Sequence, residues 1–160
     1  MTVEVGNTIP DLALTVVIDG EHKEMQSSLL LGKGTAVLFG VPGAFTPTCS
    51  DYHLPGFVLR SEELAQKGVE TVACLSVNDA FVMSAWGRSQ NVEKHVLLIA
   101  DGNAEFTKAL GLDMDATAFG MGTRSKRFAM ILQDGVITHL AVEPGSDLDV
   151  SSADAILAAL

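Results

Sequence analysis

Residues 35–49 have the sequence TAVLFGVPGAFTPTC, and the rest of the chain is organised around this stretch. Its apolar start predicts a strand, Pro42 and Pro47 stiffen the loop that follows, and Cys49 begins a segment with helical periodicity. A helix N-terminus presents unpaired N–H groups and the positive end of the helix dipole, and both favour a thiolate over a thiol. The order of strand, loop and cysteine therefore indicates a reactive thiol on a first helical turn.

The loop contains one cysteine and no Cys-x-x-Cys pair, which argues against a dithiol exchange site. Thr46 lies three residues before Cys49, so its hydroxyl can donate to the sulfur or to an oxygen held beside it. A single activated thiolate beside a hydroxyl suits attack on a small electrophile.

Length and composition limit the classes of function. The 160 residues are enough for a single domain, 1–160, with a substantial core. A net charge of −10 argues against nucleic acid and anionic membranes as partners, and no apolar run approaches the ~20 residues of a membrane helix.

The first residues resemble neither a secretory signal nor a transit peptide, and two cysteines without a disulfide framework favour a reducing compartment. We expect the cytoplasm, or an organelle if a transit peptide has been removed.

The hydrophobic pattern alternates strands with helices, as in an α/β fold with a mixed sheet. Pro55-Gly56 is expected to kink the first long helix, and residues 111–126 have no clear period and are expected to form a loop. The predicted strands are 12–18, 22–25, 35–39, 69–77, 95–100, 128–132 and 136–140, and the predicted helices are 48–67, 79–90, 104–110 and 151–160.

Residues 39–49 carry the spacing Pro-x-x-x-Thr-x-x-Cys and resemble the active-site signature of the type II, or peroxiredoxin-5-like, peroxiredoxins. Other stretches are also similar to this family, and they run nearly end to end: 54–57, 74–82, Trp86, 123–129 and 151–153. The resemblance implies a thioredoxin-like fold, in which helices flank a mixed central β-sheet that carries an N-terminal β-hairpin extension.

The resemblance further implies a thiol peroxidase that reduces hydrogen peroxide and alkyl hydroperoxides through a sulfenic acid at Cys49. It implies glutaredoxin with glutathione, or thioredoxin, as the reductant, and a homodimer with its contact near the active loops. No metal or other cofactor is implied. Within this family pattern Thr46 is a ligand of the peroxide and the thiolate, and Pro42 shields the thiolate from solvent.

A thiolate also needs a cation, and an arginine can donate to sulfur and to a peroxide oxygen together. Arg127 lies at the start of a predicted strand, where the family places this residue. Arg124 is the alternative candidate for this cation, but it could equally be an ordinary solvated arginine at the surface.

Several residues keep two interpretations. His53 lies on the helix face of Cys49, where it either tunes the thiol or packs. Cys74, in a predicted buried strand, is expected to pack, although the resemblance also allows it to resolve oxidised Cys49, as proposed for some plant members. Val150 stands where other members carry a resolving cysteine. Phe81 and Trp86 are expected to be core or interface aromatics.

Two other functions compete with a peroxidase. A redox relay module would pass oxidation from the same cysteine to a partner without significant turnover. A thiol hydrolase would additionally need an orienting residue and an oxyanion hole, which nothing in the sequence indicates. The two cysteines and four dispersed histidines do not have the spacing of a metal site.

Overall fold

The computed structural model describes residues 2–160 and contains nine strands and six α-helices among them. The strands are β1 (Ala13–Ile18), β2 (Glu21–Gln26), β3 (Thr35–Gly40), β4 (Val69–Ser76), β5 (Leu97–Ala100), β6 (Asp113–Asp115), β7 (Thr123–Ser125), β8 (Phe128–Gln133) and β9 (Val136–Val142). The α-helices are α1 (Ser27–Leu31), α2 (Leu54–Leu59), α3 (Ser61–Gln66), α4 (Ala80–Ser89), α5 (Glu105–Leu110) and α6 (Ala153–Ala159).

Seven strands form one mixed sheet in the order β2-β1-β5-β4-β3-β8-β9. Strands β3, β4 and β5 run parallel in its centre, and β1 and β8 join them antiparallel. The central strands are almost continuously apolar because helices cover both of their faces. The mixed α/β sheet and the N-terminal hairpin at its edge confirm the sequence prediction.

Successive residues of β3 point to opposite faces of the sheet and so build two cores. Val37 and Phe39 belong to the core under α2, α3, α4 and α6, and this core also contains Cys49 and Cys74. The other core lies under α1 and α5. Both cysteines therefore lie on the same side of the sheet.

The predicted kink is in the wrong place. Pro55 and Gly56 lie inside α2, and the chain breaks at Arg60, between α2 and α3. The irregular part is a π-helical turn, Cys49–His53, whose wider ring is closed by the Leu54 N–H donating to the Cys49 carbonyl. Pro55 is the second residue of α2 and follows the π-helical turn without a break, so the N–H that it lacks would otherwise have faced the carbonyls of that turn.

Residues 111–126 also differ from the expectation of a loop. Strands β6 and β7 pair antiparallel, from Asp113 opposite Ser125 to Asp115 opposite Thr123, and a 3₁₀ turn connects them. Strands of three residues are too short to show a period of two. Of the two aromatics of α4, Trp86 is a core residue, whereas Phe81 is 79% exposed.

Candidate active site

Cys49 lies at the first residue of the π-helical turn, directly after the loop that follows β3. Its side chain is completely buried. The loop is fixed to the end of β4, because the Ala44 N–H donates to Asn78 Oδ1 over 3.0 Å and the Ser76 hydroxyl donates to the same oxygen. The thiol is therefore held at the carboxyl ends of two central parallel strands.

Arg127 reaches this cysteine through the register of the sheet. Phe128 pairs with Gly40, so Arg127 enters the sheet beside the first residue of the loop that follows β3. Its side chain is 3% exposed, and its Nη2 lies 3.1 Å from Cys49 Sγ. Its Nε donates to the Ser146 carbonyl over 3.3 Å. The structure thus brings Arg127, rather than Arg124, to the thiol.

His53 lies on the other side of the same guanidinium. Arg127 Nη1 is 2.9 Å from His53 Nδ1, and His53 Nε2 is 2.9 Å from the Ser151 carbonyl. The pKa of His53 is lowered to about 3, mainly by burial and next by the Arg127 cation, which together outweigh the opposing effects of the Ser151 carbonyl and Glu143. His53 is therefore neutral at physiological pH.

Glu143 supports the segment that carries the Ser151 carbonyl. Its Oε2 accepts hydrogen bonds from the N–H of Asp149 and from both the N–H and the hydroxyl of Ser151. Burial alone would raise the pKa of Glu143, but these donors and the Val150 N–H outweigh it and hold the pKa below its ordinary value. The carboxylate and its donors form a second layer behind His53.

Thr46 and Pro42 line a cavity of about 730 Å³ that opens next to the buried thiol, and Arg127 and Met121 also contribute to its wall. The Thr46 hydroxyl donates to the Gly43 carbonyl over 2.7 Å. Its proton is therefore engaged within the loop, and its oxygen is left to accept. The expectation was that Thr46 would donate to the sulfur or to an oxygen held beside it, whereas in this structure the hydroxyl donates to the backbone of its own loop.

Arg124 is neither free in solvent nor a ligand of Cys49. Its Nη1 donates to the Pro42 carbonyl over 3.2 Å, and its Nε donates to the Met121 carbonyl over 3.0 Å. A Cβ on Gly43 would lie 2.5 Å from Arg124 Nη1, so a glycine leaves room for this contact. Arg124 therefore links the loop that follows β3 to the segment between β6 and β7.

Comparison with known proteins agrees with this geometry. The family model described as Redoxin matches residues 4–157. Peroxiredoxin-2B of Arabidopsis thaliana is 48% identical over 160 residues, which cover 99% of this chain and 98% of that protein. The chain belongs to the peroxiredoxins. It is a thiol peroxidase, an oxidoreductase, with the thioredoxin-like fold of this family.

Two further peroxiredoxins are similar over nearly the whole chain. Peroxiredoxin-2E-2, chloroplastic, of Oryza sativa subsp. japonica is 48% identical over 99% of this chain and 73% of its own length. The crystal structure of reduced Prx3 in complex with H₂O₂ from Vibrio vulnificus is 49% identical, with a TM-score of 0.91 over 99% of this chain and 100% of that chain. The likeness to type II peroxiredoxins therefore holds in sequence and in fold.

In this peroxiredoxin Cys74 is buried in the middle of β4, opposite Phe39 of β3. Neither cysteine is in a disulfide. Burial raises the pKa of the Cys74 thiol well above its ordinary value, the neighbouring Cys49 raises it further, and Arg127 opposes both. These surroundings are those of a packed, unreactive thiol.

Sequence reasoning about the peroxiredoxin site missed Glu143, Ser146 and Ser151. The two serines contact His53 and Arg127 through backbone carbonyls, which no side-chain pattern can reveal. Glu143 has no local signal either, because a glutamate at the end of a strand is ordinarily exposed.

Within residues 2–160 no cluster of three or more His, Cys, Asp or Glu side chains could hold a metal ion. Over the same residues, none of the helices has the length and apolar character required to cross a membrane.

Proposed function

We propose that this peroxiredoxin reduces hydrogen peroxide and alkyl hydroperoxides at Cys49, with Arg127, Thr46 and Pro42 as the other site residues. The observation that carries the proposal is the 3.1 Å contact of Arg127 Nη2 with Cys49 Sγ in a buried site. A buried cation needs a counter-charge. No carboxylate within residues 2–160 forms an ion pair with Arg127, so a Cys49 thiolate supplies the negative charge.

The thiolate attacks one oxygen of the peroxide, an S–O bond forms, and the O–O bond breaks. The leaving hydroxide or alkoxide takes up a proton and departs as water or alcohol, which leaves Cys49 as a sulfenic acid. Arg127 stabilises the negative charge that moves onto the leaving oxygen, together with the Cys49 N–H. The Thr46 oxygen accepts a hydrogen bond from the peroxide, since its own proton is donated to Gly43.

Reduction of the sulfenic acid requires a second conformation. The Cys49 side chain has no exposed surface in this structure, so a small peroxide needs a slight shift of the neighbouring loop to reach it, and a protein thiol needs a much larger opening. We propose that the π-helical turn opens locally and exposes Cys49 to glutaredoxin with glutathione, or to thioredoxin. Cys74 stays packed in β4 during this cycle.

Consumption of peroxide in the presence of each reductant tests the proposal. Hydrogen peroxide and cumene hydroperoxide are supplied with NADPH and either glutathione, glutathione reductase and glutaredoxin, or thioredoxin and its reductase. The wild type and Cys74→Ser should both sustain NADPH oxidation, and Cys49→Ser should not. A single equivalent of oxidation at Cys49 without turnover in either system would favour a redox relay module. No rapid oxidation at Cys49 would refute the peroxidase chemistry itself.

We also propose a homodimer with its contact near the catalytic loop. Phe45 in this loop and Phe119 at the cavity wall are 56% and 82% exposed, and a partner subunit that covered them would bury two large apolar side chains. Light scattering should give twice the mass of the chain, and Phe119→Ser should lower that mass. For the compartment we propose a reducing one, since both cysteines are free thiols.

A further inference from the structure

We propose that His53 is a positioning residue for peroxide reduction: as the neutral tautomer with its proton on Nε2, it accepts Arg127 Nη1 and thereby aims Nη2 at the Cys49 sulfur. The inference rests on the proposed function, because it assigns His53 a part in the same reaction. It gives this side chain a function beyond packing.

The hydrogen-bond pattern determines the tautomer. A guanidinium only donates, so the 2.9 Å contact between Arg127 Nη1 and His53 Nδ1 requires an unprotonated Nδ1. The proton then resides on Nε2, where the Ser151 carbonyl accepts it at 2.9 Å. An imidazolium has no acceptor to offer, and the pKa of about 3 keeps His53 neutral.

The contact with His53 is the shortest of the hydrogen bonds that hold the Arg127 guanidinium. Arg127 makes three side-chain contacts, to Cys49 Sγ at 3.1 Å, to His53 at 2.9 Å and to the Ser146 carbonyl at 3.3 Å. Without His53, only the long Ser146 bond would anchor the guanidinium to anything other than the reacting sulfur. A catalytic donor loses effect when its position varies by an ångström.

His53 is itself fixed from three directions. Its ring packs beside the stacked rings of Phe39 and Phe57, with centroid distances of 4.9 and 5.7 Å. Its Nε2 is anchored to Ser151, which Glu143 holds in place. It also shares the π-helical turn with Cys49, so a single turn determines the position of the thiol and of the group that orients its cation.

Two variants separate positioning from packing. His53→Phe keeps an aromatic ring beside the stacked pair Phe39 and Phe57 but removes the acceptor, whereas His53→Asn loses the ring and keeps an acceptor at the place of Nδ1. The matched controls are His95→Phe and His95→Asn, since the His95 side chain is 51% exposed. Trp86 donates to the Ser50 hydroxyl next to Cys49, so its fluorescence can follow oxidation of the thiol in a stopped-flow instrument.

Two rate constants are measured for each protein, for oxidation of Cys49 by hydrogen peroxide and for its alkylation by iodoacetamide. We expect His53→Phe to lower the peroxide rate constant about tenfold to a hundredfold, the range for one lost hydrogen bond to a charged group. Alkylation should not accelerate, and His53→Asn should recover part of the peroxide rate. The His95 controls should match the wild type.

Other results would overturn the inference. These are a peroxide rate for His53→Phe equal to that of the wild type, no recovery in His53→Asn, or a large acceleration of alkylation, which would mean that the buried Cys49 had simply become exposed. If His53→Phe does not fold, the ¹⁵N shifts of the wild-type imidazole decide: an unprotonated Nδ1 supports the inference and a protonated Nδ1 refutes it. A wild type that peroxide does not oxidise would refute the proposed function instead.

Discussion

Acid should destabilise this protein through His53 before its carboxylates titrate. The pKa of His53 is about 3 in the folded protein because burial and the Arg127 cation disfavour the imidazolium. In the unfolded chain a histidine has a pKa of about 6.5. A folded pKa below the unfolded one means that His53 contributes full stability above pH 6.5 and progressively less as the pH falls from 6.5 towards 3.

The size of the effect follows from the difference in bound protons. Between pH 7 and pH 4.5 the unfolded His53 takes up about three quarters of a proton, whereas the folded His53 takes up almost none. At ~1.36 kcal/mol per pH unit, this lowers the free energy of unfolding by roughly 2–3 kcal/mol over that interval. The interval ends at pH 4.5 because carboxylates, including the buried Glu143, titrate below it.

Urea unfolding of the reduced protein, followed by circular dichroism at pH 7, 6, 5 and 4.5, measures this loss. The wild type should lose roughly 2–3 kcal/mol more than His53→Phe across the interval, at unchanged m-value. His53→Phe will be less stable at pH 7, but only the change with pH is compared. His95→Phe serves as the control and should lose as much as the wild type. If the free energy of unfolding falls by the same amount in the wild type and in His53→Phe, the conclusion that folded His53 is buried and neutral is wrong.

Three further substitutions have expected outcomes. Gly40→Ala should cost about 1–3 kcal/mol of stability in urea unfolding, because the new Cβ would overlap the buried Phe128 ring; an unchanged stability would show that the ring can move. Asp101→Ala should cost about 2–4 kcal/mol by the same assay, because it strands two backbone N–H groups and the Thr107 hydroxyl, and a loss below about 1 kcal/mol would contradict this. Cys74→Ala should cost about 1 kcal/mol and keep the rate of NADPH-coupled peroxide turnover, whereas a collapse of turnover would mean that Cys74 resolves Cys49.

Much of the architecture could be predicted because its signals are local. The predicted strands 128–132 and 136–140 and the predicted helix 79–90 each depend on a pattern within a few residues, and they appear in the structure as β8, β9 and α4. The π-helical turn could not be predicted in this way. Its extra residue per turn depends on what Cys49 and His53 contact in the folded protein, and those contacts come from distant segments.

The sequence by itself identified Cys49 as the candidate nucleophile, since loop, helix start and spacing around Cys49 are properties of one short stretch. The family resemblance favoured Arg127 over Arg124, but only the tertiary structure shows which of the two arginines contacts the sulfur. The two arginines are three residues apart with the same charge, and their roles separate because the register of β8 on β3 directs Arg127 inwards, while Arg124 lies in β7 and reaches Pro42. Local spacing determines secondary structure, whereas strand register and burial determine which distant side chains meet.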